Sequence, residues 1–173
     1  MNTRRIFICG FMGSGKTTVG AFVAQRMNFP FFDTDHIIEK KTGRTVSDLF
    51  ADFGETYFRD AETVCLKETV QNYHQGIFAL GGGALLRREN QVLVKNSGAL
   101  IHLAVSHAEI IRRIGRDGNR PLWDADRLDR LMEAREEGYR TADRSFDTDG
   151  FTAQSVADAV VRYIMNPPGI EKK

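Results

Sequence analysis

The stretch that most constrains this chain is residues 5–17. A short apolar run, RIFIC, leads into the glycine-rich segment GFMGSGKT and then into a helical pattern over 16–27. Gly10, Gly15, Lys16 and Thr17 satisfy G-x-x-x-x-G-K-[ST], and the order strand, glycine loop, helix separates a phosphate cradle from a chance match. Gly10, Gly13 and Gly15 allow tight turns that aim amide N–H groups inward at phosphate oxygens. The helix start adds partial positive charge. Lys16 would then bridge the β- and γ-phosphates of a nucleotide, and Thr17 would offer its hydroxyl to Mg²⁺.

The remainder alternates in the same way. Strands are expected near 29–32, 77–80, 99–105 and 145–147, with helices over 106–114, 127–143 and 152–165. Residues 35–73 read as helical in pieces, broken at Gly43 and Gly54. Val156, Ala159, Val160 and Ile164 make one apolar stripe on the last helix. Five strands separated by helices predict an α/β fold, a mostly parallel sheet with helices on both faces. Ligands of such sheets bind beyond the carboxyl ends of the strands. Lys16, Asp33, Asp35 and the triple glycine 81–83 all fall just past a predicted strand end, so they are expected to share one crevice.

Bulk properties narrow the partners. A chain of 173 residues fits a single domain, residues 1–173. A net charge of +1 supplies no field for nucleic acid or a membrane surface, so anion binding must be local. The cysteines, Cys9 and Cys65, lack metal-ligand or redox spacing, and the four histidines are scattered. Cys9, ending an apolar run, reads as a small buried hydrophobe. No stretch approaches the roughly 20 apolar residues of a membrane span, and the N-terminal run is too short for a signal peptide. The expectation is a cytoplasmic enzyme.

Several residues carry candidate chemistry. Asp33 and Asp35 lie two apart at a strand end; on an extended segment both carboxylates point the same way. One would help hold Mg²⁺, and the other would orient or deprotonate an attacking hydroxyl. The plainer alternative is that one of them caps the next helix. Arg59 and Glu62 sit three apart on a helix. As a surface pair they would be worth well under ~1 kcal/mol; as a site pair, Glu62 would aim the guanidinium at an anionic group. Residues 115–126 have the composition of a mobile lid, from which Arg116 and Arg120 would cover a triphosphate. Arg135 lies in a charge-dense helix, a pattern that usually marks a solvated face.

Together the segments GFMGSGKTTVG, FFDTDHIIE, TGRTVSDLFADFGETYFRDAE, ALGGGA and NRPL resemble the shikimate kinase family, in order and over nearly the whole chain. The resemblance implies a three-layer α/β/α P-loop kinase fold with a five-stranded parallel sheet, a mobile lid, and an acceptor-binding helical region over about 35–62. It implies ATP-dependent phosphorylation of the shikimate 3-hydroxyl, with ATP phosphates at Met12, Gly13, Ser14, Gly15, Lys16 and Thr17 and Mg²⁺ near Thr17 and Asp33. Asp35 would bind ring hydroxyls, and Arg59, Gly82 and Arg135 would also contact shikimate, the arginines at its carboxylate. Arg120 would reach the phosphates from the lid, and Arg113 would lie beside adenine. ATP and shikimate are the implied partners, with no nucleic acid or membrane, and the protein is expected to be a monomer. The sequence departs from the family where an R-x-P-L-Y-like stretch is usual: residues 135–139 read REEGY, and Arg140 is the nearest substitute for Arg135. Trp123 and the segment DTDGFT are further departures.

Overall fold

In a computed structural model that describes residues 5–114 and 125–167, strands and helices alternate through the chain. They are β1 (Arg5–Gly10), α1 (Lys16–Met27), β2 (Phe31–Asp33), α2 (Thr34–Thr42), α3 (Val46–Asn72), β3 (Gly76–Ala79), a 3₁₀ turn (Ala84–Leu86), α4 (Arg88–Ser97), β4 (Ala99–Ala104), α5 (His107–Ile114), α6 (Ala125–Tyr139), β5 (Arg144–Asp147) and α7 (Ala153–Met165). The sheet order is β2-β3-β1-β4-β5, and every pairing is parallel. The expected α/β fold with a five-stranded parallel sheet is what forms.

Both sheet faces are covered, so the strands bury alternate residues on opposite sides. Ile6 and Ile8 of β1 point to one core with Ile77, Ile101 and Leu103, closed by Val19 and Val23 of α1 and Val156, Ala157 and Val160 of α7. Phe7 and Cys9 point to the other, with Phe78, Leu80 and Leu100 against Leu66 of α3 and Val94 of α4. Phe7, Phe78 and Phe32 stack in series at 5.2 and 5.1 Å between centroids. Cys9 is 1% exposed, the small buried hydrophobe expected of it. Among the described residues no helix is long and apolar enough to cross a membrane.

Two features differ from the sequence reading. The 3₁₀ turn and α4 lie in a stretch to which the pattern assigns no element. In α4 only Asn90 and Val94 are buried and Val92 is 50% exposed, so the apolar periodicity there is faint. Asp33 and Asp35 do not share an extended segment. The strand ends at Asp33, whose side chain caps α2 by accepting from the amides of Asp35 (3.1 Å) and His36 (3.4 Å). Asp35 therefore sits in the first turn of a helix.

The predicted breaks occur where expected. Gly43 ends α2 at φ 68°, and Gly54 kinks α3 at φ 80° and ψ 174°. A capping box between Thr45 and Asp48 starts α3. β1 lies between β3 and β4, and the chain leaving its carboxyl end is the glycine loop, at the point where the strand order reverses.

Candidate active site

The loop between β1 and α1 has the backbone its glycines predict. Gly13 (φ 78°) and Gly15 (φ 90°) are left-handed, and a Cβ on Gly10 would stand 2.6 Å from the Leu103 carbonyl. Lys16, partly buried, folds over the loop and donates to the carbonyls of Gly10 (2.9 Å) and Phe11 (3.0 Å). Burial lowers its pKa, which the nearby Asp35 charge partly opposes. Thr17 Oγ1 donates a 2.7 Å hydrogen bond to Asp33 Oδ2. Of the two tasks its sequence position left open, Asp33 carries the capping of α2 with one oxygen, and its other oxygen faces the first turn of α1. Thr17 and Asp33 together offer two hard oxygen donors, a set that fits Mg²⁺. Among the described residues no cluster of three or more His, Cys, Asp or Glu side chains is positioned to hold a metal ion. Mg²⁺ bound chiefly by phosphates and water needs only one or two protein oxygens.

Across from this loop, each member of the triple glycine makes room for a different polar side chain. A Cβ on Gly81 would stand 2.5 Å from Asp35 Oδ1 and overlap Glu62 Oε1. One on Gly82 would stand 3.0 Å from Arg135 Nη1, and one on Gly83 would lie 2.5 Å from Arg59 Cζ. The Gly81 amide donates to Thr34 Oγ1 at 2.9 Å, tying this floor to α2. Four polar side chains from α2, α3 and α6 therefore converge on three consecutive residues without side chains.

The Arg59–Glu62 pair is a buried one, against the plainer expectation of a surface pair. Glu62 is 1% exposed and Arg59 9%, with Nη1 to Oε2 at 2.5 Å. Glu55 accepts from Arg59 Nε (3.1 Å) and Nη2 (3.0 Å). Such forked bonding fixes the plane of the guanidinium. Sequence separation places Glu62 beside Arg59 on the helix, but only the packing of α3 beneath the glycines removes the pair from water.

Arg135 lies over the Phe11 ring at 4.8 Å and against Gly82. Arg140, the alternative, is turned away: its side chain is 74% exposed and pairs with Glu136 at 2.7 Å. Buried polar atoms left without a protein partner include Asp35 Oδ1, Glu62 Oε1 and Arg135 Nε. All three belong to side chains on the glycine floor, where a polar ligand would meet them. Burial, helped by the Asp33 charge, pushes the Asp35 carboxyl up to about 6. Burial also raises Glu62, which the Arg59 charge only partly pulls back.

At the other end of the crevice Arg113 joins three segments. It donates to the carbonyls of Gly13 (2.8 Å) and Thr148 (2.7 Å) and to Glu109 Oε1 (2.7 Å). A cavity of about 270 Å³ opens there, lined by Gly13, Ser14, Gly15, Arg113, Thr148 and Phe151 among others. Sequence reasoning passed over Glu55, Thr148, Phe151 and Tyr139. An exposed aromatic just after a strand end, Phe151 at 61%, was the one available signal. Arg116, Arg120 and Trp123, together with most of the expected lid, lie outside the described residues.

The family model described as shikimate kinase matches residues 12–165. The shikimate kinase of Thermodesulfovibrio yellowstonii is 38% identical over 163 residues, covering 92% of this chain and 94% of that protein. The shikimate kinase of Acinetobacter baumannii, solved in complex with shikimate, superposes with a TM-score of 0.86 at 34% identity, covering 94% of this chain and 93% of that one. A gluconokinase from Sinorhizobium meliloti reaches a TM-score of 0.58 at 16% identity, over 93% of this chain and 91% of that one; at that distance only the fold is shared. Matched by the shikimate kinase family model over residues 12–165, and 38% identical to a shikimate kinase across 94% of that protein, the chain belongs to the shikimate kinase family.

Proposed function

We infer that this protein is an ATP-dependent shikimate kinase, transferring the γ-phosphoryl group of ATP to the 3-hydroxyl of shikimate in the route to aromatic amino acids. The observation that carries this reading is the convergence of Asp35, Glu62, Arg59 and Arg135 on Gly81, Gly82 and Gly83, across from a phosphate loop. A rigid buried guanidinium and a second arginine suit a carboxylate, and a carboxylate in the first turn of α2 suits ring hydroxyls.

In this reading the loop amides and Lys16 hold the β- and γ-phosphates, Lys16 exchanging its two loop carbonyls for phosphate oxygens. Thr17 and Asp33 would hold Mg²⁺, which when bound offsets charge on the phosphates. Asp35 orients the acceptor hydroxyl and takes its proton as the oxygen attacks phosphorus; a base titrating near 6 is ionised at neutral pH. Arg59 and Arg135 fix the acceptor by its carboxylate, so positioning and electrostatics supply most of the acceleration. Arg120 is assigned the lid position over the phosphates. Arg113 and Phe151, which line one cavity, are assigned to the two sides of adenine, so Phe151→Ala should raise the ATP KM; an unchanged value would reject that placement. Both halves of the crevice come from one chain, which supports a monomer; a dimer mass in sedimentation would count against it.

The test is a coupled ADP-release assay over a panel of hydroxylated carboxylates. Turnover with shikimate and none with gluconate is expected. The reverse, or ATP binding with no ADP formed for any acceptor, would overturn the assignment.

A further inference from the structure

Tyr139, the last residue of α6, lies one helical turn beyond Arg135 and on the same face. Its hydroxyl donates a 2.8 Å hydrogen bond to the carbonyl of Gly82, the floor residue against which Arg135 Nη1 lies. The ring is held from behind by His102 of β4, with centroids 4.8 Å apart and planes 19° from parallel. His102 Nδ1 is in turn 3.0 Å from Ser145 Oγ of β5. Burial raises the Tyr139 phenol above its ordinary value, so it remains a donor.

Arg135 needs such support. Arg59 is gripped by Glu55 and Glu62; among the described residues no carboxylate makes an ion pair with Arg135. Its guanidinium rests on the Phe11 ring and its Nε has no protein partner. The neighbouring residue explains how the tyrosine reaches the floor. A Cβ on Gly138 would stand 2.7 Å from the Leu85 carbonyl and 2.9 Å from the Leu85 Cβ, so α6 meets the 3₁₀ turn at a distance only glycine permits.

We propose that Tyr139 is a positioning residue for the acceptor: its hydroxyl fixes the Gly82 peptide against which the Arg135 guanidinium lies, and so sets where that arginine meets the substrate carboxylate, while Gly138 brings α6 close enough for the bond to form. The proposal rests on the shikimate kinase reading. If the wild-type protein fails to phosphorylate shikimate, that reading fails; if it succeeds and the variants below behave as wild type, only this inference fails.

Steady-state kinetics of Tyr139→Phe, which keeps the ring, provide the test. The shikimate KM should rise about fivefold, as expected for losing one neutral hydrogen bond, with kcat and the ATP KM within about twofold. Arg140→Ala should leave all three constants near wild type. In an Arg135→Ala background, adding Tyr139→Phe should change the shikimate KM by less than about twofold, because the hydroxyl acts through the arginine. The same fivefold factor in both backgrounds, or an unchanged KM in the single variant, would overturn the proposal. Should Tyr139→Phe fold poorly, Gly138→Ala gives a second reading: a raised shikimate KM with an unaltered ATP KM is expected, and equal damage to both would reject the role.

Discussion

The guanidinium of Arg59 occupies the space that a side chain on Gly83 would need, its Cζ lying 2.5 Å from where that Cβ would stand. Glu55 and Glu62 both pair with the arginine, so moving it would cost those bonds. A glycine in the floor and an ion pair in a helix are therefore two parts of one packed unit.

Gly83→Ala should displace Arg59 while leaving the phosphate loop intact. Overpacking at a tight site costs about 1–3 kcal/mol, so the shikimate KM should rise about tenfold or more and the ATP KM should change little. Calorimetric titration of each substrate separately would check this, and equal weakening of both would show a general folding defect instead.

The raised Asp35 carboxyl makes a pH prediction. The base must be ionised to accept the hydroxyl proton, so kcat/KM for shikimate should fall tenfold per pH unit below about 6 and be level above it. A profile that stays flat down to pH 4.5 would remove Asp35 from that role.

The same carboxyl should weaken the fold at neutral pH. Folded Asp35 keeps its proton to about 6, well above the ordinary aspartate value of about 3.9. The folded state therefore binds more protons within that window, and stability is lost as pH rises through it. Asp35→Asn, neutral throughout, should gain on the order of 1–2 kcal/mol over wild type at pH 7.5, after allowance for the carboxyl's partial exposure. The gain should vanish below about pH 4, while turnover drops at least about a hundredfold. Urea melts of both proteins at the two pH values give the comparison.

Glu62→Ala should be among the more damaging substitutions outside the apolar cores. Removing one partner of a buried pair costs about 3–5 kcal/mol, which for a chain of this size lowers Tm by roughly 10 °C. Calorimetric melting would measure it; a shift under about 2 °C would place the pair in water after all.

Much of this architecture was legible in advance because it depends on local chemistry. The phosphate loop combines a β-rich run, glycines required by positive φ at Gly13 and Gly15, and a helix start, all within 13 neighbouring positions. The breaks at Gly43 and Gly54 were visible for the same reason. Less legible was α4, whose two buried positions leave little periodicity. The choice between Arg135 and Arg140 was also open, since both lie in a run of charges and differ only in which face of α6 meets the glycine floor.

By itself, the sequence determined the order of elements, the phosphate loop and the residue types available for an anionic, hydroxylated acceptor. Short-range sterics and alternating burial act between near neighbours and are written into consecutive residues. Only the tertiary structure decided that Asp33 divides its two oxygens between Thr17 and the α2 amides, that Arg59 and Glu62 are buried, and that Arg135 rather than Arg140 faces Gly82. Those outcomes depend on which surfaces lose water when α2, α3 and α6 close over the carboxyl edge of the sheet, and that is settled by packing between segments far apart in the chain.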